Sequence, residues 1–74
     1  MHGREFVDHL LSLEDIDGNT PLLLAVEGGS TEITKILLQF GVDVDHSNRN
    51  RTHALHLAAK IGSLEIVKLL LKVK

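Results

Sequence analysis

The feature that most constrains this chain is a pattern that occurs twice. Leu22, Leu24, Ala25, Gly29, Ser30, Glu32, Ile33, Lys35, Leu37 and Leu38 return as Leu55, Leu57, Ala58, Gly62, Ser63, Glu65, Ile66, Lys68, Leu70 and Leu71, each 33 residues further on. A fixed period of this length implies stacked supersecondary units, none of which buries its apolar face without a neighbour. With 74 residues to draw on, the stack is one small domain whose core supplies about 3–5 kcal/mol, so its stability should be marginal.

Each copy reads as two short helices parted at glycine. Thr20 followed by Pro21 starts the first helix: the hydroxyl accepts an orphan backbone N–H, and proline sits where no N–H is needed. Gly28 and Gly29 stop it near Glu27, and Ser30 or Thr31 caps the next helix. That helix is expected to carry Ile33, Ile36, Leu37 and Phe40 on one apolar face until Gly41. A second pair is predicted over His53–Lys60 and Ser63–Lys72, split at Gly62. Upstream, Phe6, Val7, Leu10, Leu11 and Leu13 have helical spacing. Slid forward 27 residues, Glu5–Leu11 overlies Glu32–Leu38, so a lone second helix precedes the first full pair, joined to it by a shortened connection. The residues between, Glu14-Asp15-Ile16-Asp17-Gly18-Asn19, are turn chemistry. Val42–Thr52 reads as an extended finger.

Composition removes several function classes. The net charge of −2 and two aromatic residues, Phe6 and Phe40, oppose a nucleic-acid surface, which needs basic patches and stacking rings. Glu32, Lys35, Glu65 and Lys68 interrupt every candidate membrane span. No apolar signal segment opens the chain, and His2 stands where a myristoylated chain needs glycine. With no cysteine there is no disulfide, thiolate metal site or thiol nucleophile. The expected setting is intracellular, in the cytoplasm.

The chemical motifs are weak. His53 and His56, at i and i+3, share a helix face, but a closed metal site needs two more ligands and the nearest are Asp45 and His46 on the finger; ordinary helix and turn hydrogen bonding accounts for His56. Asp15-x-Asp17-x-Asn19 and Asp43-x-Asp45-x-Ser47 open like calcium loops but lack the sixth-place glycine and twelfth-place glutamate. Gly28-Gly29-Ser30-Thr31 precedes a helix without the lysine of a phosphate loop. The serines have no nucleophile elbow and no acid forms a recognisable dyad. Catalytic, cofactor and metal sites are therefore not expected.

The helix, glycine break, helix and the segment Gly41-Val42-Asp43-Val44-Asp45, at this period, resemble the ankyrin repeat family. So do Asp15-Ile16-Asp17-Gly18-Asn19-Thr20-Pro21-Leu22, as turn and helix start, and His56-Leu57-Ala58-Ala59, as first-helix core. The resemblance covers nearly the whole chain. It implies an all-α ankyrin-repeat solenoid of two helix-turn-helix repeats, 15–47 and a C-terminally truncated 48–74, preceded by a partial single-helix repeat, 1–14. Its turns would project as fingers and its first helices would line a concave face. Two departures stand out. The family's threonine–histidine pair is halved, with Leu23 in the histidine place of the first unit and His53 in the threonine place of the second. The turn glycine present as Gly18 becomes Arg51, where positive φ strains a residue with a Cβ, so an irregular second turn is expected.

The resemblance also implies a partner-facing set: Ile16, Asp17, Asn19, Glu27 and Gly28 in the first unit, and Arg49, Asn50, Thr52, Lys60 and Ile61 in the second, with Arg51 beside them. The first group is acidic and the second basic, so Arg49, Arg51 and Lys60 suit a carboxylate-bearing partner. Mixed charge that merely keeps a thin stack soluble explains the same residues. Two functions stay open: a non-catalytic protein-interaction module, and a structural segment of a longer array in a scaffold, channel or regulatory protein. In either, uncapped repeat ends offer surfaces for self-association.

Overall fold

The computed structural model describes residues 3–73, with side chains from Glu5 onward. Met1, His2 and Lys74, and with them the reading at His2 and the outer limits of the 1–14 and 48–74 units, lie outside the described residues. Five helices follow in order: α1 Gly3–Leu11, α2 Pro21–Glu27, α3 Thr31–Gln39, α4 Ala54–Ile61 and α5 Leu64–Lys72. Among the described residues there is no strand, only an isolated antiparallel bridge between Ser47 and His53. The fold is an all-α solenoid of helix-turn-helix repeats.

Local chemistry sets the helix ends. Ser30 Oγ accepts the Ile33 N–H and Ser63 Oγ accepts the Ile66 N–H, each at 3.3 Å, so the two units start their second helices identically. Thr20 Oγ1 accepts the Leu23 N–H at a long 3.5 Å, with Pro21 occupying the first helical position. His53 begins α4 without any side-chain cap. Gly62 closes α4 in the left-handed conformation, φ 75°, where a Cβ would be strained.

Packing then builds two layers. Within each unit α2 pairs with α3 and α4 with α5; between units α2 lies beside α4 and α3 beside α5. Leu22, Leu23, Ala25, Val26, Leu37, Ala54, Ala58, Ile66 and Leu70 form the core. Alanine at 25, 54 and 58 lets the first helices come close, while the branched side chains fill the space behind them. Burying Ile66 alone contributes about 2 kcal/mol.

One sequence expectation is corrected. In α3 the core face is Thr34 and Leu37, whereas Ile33, Ile36 and Phe40 are exposed. Ile33 is 53% exposed, while Ile66, its counterpart one period on, is 0% exposed. Ile66 enters the core because α5 stacks beside α3. α1 gives α3 no comparable cover: it shares no extensive pairing with any helix, Leu11 is its residue packed against the core, and Phe6 and Leu10 stay exposed.

Candidate functional site

The two turns ahead of α2 and α4 are built alike from their first residue. Asp15 Oδ1 accepts the Asp17 and Asn19 N–H groups at 2.9 Å each. Asn48 Oδ1 accepts those of Asn50 and Thr52 at 2.9 and 3.1 Å. Backbone bonds repeat as well: Asp15 N–H to Asn19 O and Asn48 N–H to Thr52 O, both 3.0 Å, then Gly18 N–H to Asp15 O at 3.0 Å and Arg51 N–H to Asn48 O at 2.9 Å. The expectation of an irregular second turn is therefore overturned. Arg51 takes the left-handed conformation, φ 61°, against 81° at Gly18; the side-chain acceptor of Asn48 and the closing backbone bonds hold it there, at a strain cost of about 1–2 kcal/mol.

The turns are also tied to one another. Arg49 N–H donates to Asp17 O at 3.0 Å, and Asn48 Nδ2 donates to Asn19 Oδ1 at 2.9 Å. His46 Nε2 lies 3.2 Å from both Gly18 O and Glu14 Oε2, close enough for its N–H to serve either acceptor. Gly18 sits at the closest approach: a Cβ there would lie 3.0 Å from Arg49 N, so both its φ and its lack of a side chain are required. His46, not His56, is thus the histidine that joins turns; the rings of His53 and His56 meet edge to face with centroids 6.4 Å apart. Nothing at position 13, where leucine stands one period earlier, signals the His46 bond.

These bonds bring Ile16, Asp17, Arg49, Asn50 and Arg51 into one edge, all exposed. Ile16, 83% exposed at the first tip, is the large apolar residue most open to water among the described residues. Asn19 and Thr52 are half-buried and serve the turns themselves: the Asn19 side chain bonds Asp15 and Asn48, and the Thr52 backbone closes the second turn. Glu27, Gly28, Lys60 and Ile61 are exposed at the ends of α2 and α4. Charge divides across the edge, Glu14, Asp15 and Asp17 on one turn and Arg49 and Arg51 on the next. The Asn19 backbone N–H, then those of Asp17 and Gly18 and the Asn19 amide, hold the Asp15 carboxyl below its ordinary value, while partial desolvation opposes them. Among the described residues no three His, Asp or Glu side chains gather as metal ligands, and no helix is long and apolar enough to cross a membrane.

A stack of helix pairs with projecting, mutually bonded turns defines a helical-repeat protein. The family described as "Ankyrin repeats (3 copies)" matches residues 1–74, and the chain belongs to the ankyrin repeat family. Inversin from Gallus gallus is 43% identical over 58 residues, 78% of this chain and 5% of that protein. Transient receptor potential cation channel subfamily A member 1 from Drosophila melanogaster is 30% identical over 67 residues, 90% of this chain and 6% of that protein. The chain thus spans about one-twentieth of the length of these relatives. Among solved structures, a chain in the complex of a predatory endopeptidase from Bdellovibrio bacteriovorus with its immunity protein superposes with a TM-score of 0.81 at 32% identity, over 85% of this chain and 33% of that one. Ankyrin repeats generally mediate protein–protein interaction, and they are generally non-catalytic.

Proposed function

We propose that this chain is a non-catalytic interaction module that binds a protein partner through its turn edge and the exposed ends of α2 and α4. The carrying observation is the bonded edge itself, where Asp17 O and Asn19 Oδ1 accept from Arg49 N–H and Asn48 Nδ2. An edge locked before binding loses little conformational entropy on contact. Ile16, Asp17 and Glu27 on the first unit and Arg49, Asn50, Arg51, Lys60 and Ile61 on the second supply apolar and charged contacts, with Asn19 and Thr52 holding the turns that present them. The arginines favour a carboxylate-bearing partner. The proposed units are 1–14, 15–47 and 48–74, in an intracellular, cytoplasmic setting as is common for the family.

A second reading has its own support: the relatives are far longer, and apolar residues stand exposed on α1, α3 and α5. On that reading the chain acts as a stacking segment in a larger array, and isolated copies associate through these faces. Affinity capture with this chain and with Arg49→Glu/Arg51→Glu separates the two. The interaction module predicts a protein retained by the first bait and lost from the second, with helix content by circular dichroism unchanged. Identical capture by both baits would remove the turn edge as the binding site.

A further inference from the structure

The second helices leave a groove of about 280 Å³ between them, lined by Lys35, Leu38 and Gln39 of α3 and by Leu69, Lys72 and Val73 at the end of α5. None of these belongs to the turn edge. Leu38 and Leu69 are half-buried and Val73 is exposed, so the groove is apolar and open to solvent. Its polar lining is two lysines and one amide, without an acid. Both lysines are exposed, and neither has an ion-pair partner among the described residues. The acids of these helices, Glu32 and Glu65, lie in the first turns and do not line the groove; Glu32 is one turn before Lys35.

We propose that this groove docks an acidic amphipathic helix of a protein partner, a surface separate from the turn edge. An apolar side chain of that helix fills the space between Leu38, Leu69 and Val73, and carboxylates one turn to either side meet Lys35 and Lys72. Both requirements come from the groove. Two exposed lysines without an ion-pair partner among the described residues favour an anion, and the apolar lining requires that the anion be joined to a hydrophobic group. Helical spacing supplies that combination, since residues three and four apart share a face. A concave site also favours an inserted side chain over a bilayer, which takes up groups projecting from a protein.

The test uses the ¹⁵N-labelled chain and a synthetic helical peptide with leucines on one face flanked by glutamates at i−4 and i+4. Controls are the same peptide with lysine for glutamate, and vesicles containing phosphatidylserine. The expected result is amide shifts centred on Lys35, Leu38, Gln39, Leu69, Lys72 and Val73. Affinity should fall roughly tenfold or more in Lys35→Glu/Lys72→Glu and by a smaller factor in Lys35→Gln/Lys72→Gln. Arg49→Glu/Arg51→Glu should leave it within about twofold. Shifts elsewhere or none at all, equal binding of the lysine peptide, loss only in the turn variant, or preference for vesicles would each overturn the proposal. Because the turn variant is included, failure here stays distinct from failure of the turn edge.

Discussion

The two helix-pair units place different residues at some equivalent positions and the same residue at others, and reach nearly the same backbone. Gly18 answers to Arg51, Asp15 to Asn48, Thr34 to Val67 and Ile33 to Ile66. Where the residues differ in what the backbone needs, as at Gly18 and Arg51, the turn forms anyway and the second unit carries the strain. Where the residues are the same, as at Ile33 and Ile66, exposure differs because only the later one has a full unit stacked before it. In a repeat protein, local residues set the shape of a unit, and neighbours set the energetic worth of each position.

The comparison breaks first at its largest contrast. Ile66→Ala should cost about 3 kcal/mol, as for a fully enclosed core residue, while Ile33→Ala should cost under about 1 kcal/mol. Urea unfolding of both variants measures the gap, and equal losses would mean that α1 covers Ile33 after all. Next comes the flaw of the first unit. Thr34 is fully buried and its hydroxyl has no hydrogen-bond partner among the described residues, so Thr34→Val should add about 1 kcal/mol of stability and remove a difference from Val67. Arg51→Gly repairs the second unit instead. Relief of left-handed strain is partly offset by the freer unfolded chain, leaving a gain of about 0.5 kcal/mol.

The smallest effect separates Asp15 from Asn48. The folded-state value of Asp15 is depressed, so its contribution is present above the unfolded value of about 3.9 and is lost as pH falls through the folded value. Acid titration followed by NMR should move the Asp17 and Asn19 amides below about pH 4, while those of Asn50 and Thr52, bonded to an amide oxygen that does not titrate there, lag behind. Simultaneous movement of all four would show that the turns respond as one.

Much of this was legible in the residues. The period gave the two helix pairs, and Thr20-Pro21, Ser30, Ser63 and the glycine breaks marked the helix ends within a residue or so. The regular second turn could have been read by aligning Asn48 with Asp15, because both offer a side-chain oxygen to the N–H groups two and four residues on. Arg51 drew attention to its own strain instead. The orientation of α3 and the His46 contact were not legible, since both depend on residues from different units meeting in space: Ile33 on what α1 fails to cover, His46 on a carbonyl 28 positions away. The candidate edge followed from the family's geometry, but the division between exposed contacts and turn-holding residues such as Asn19 needed the hydrogen bonds.

The central claim is that the two turns form one rigid edge across the boundary between units. Hydrogen exchange at the Arg49 amide, in the unaltered chain and in Gly18→Ala, tests it most directly. The account predicts slow exchange at Arg49, whose N–H bonds Asp17 O, and a loss of that protection in Gly18→Ala, where the new Cβ meets Arg49 N at 3.0 Å. Exchange at the rate of an open loop in the unaltered chain would contradict it.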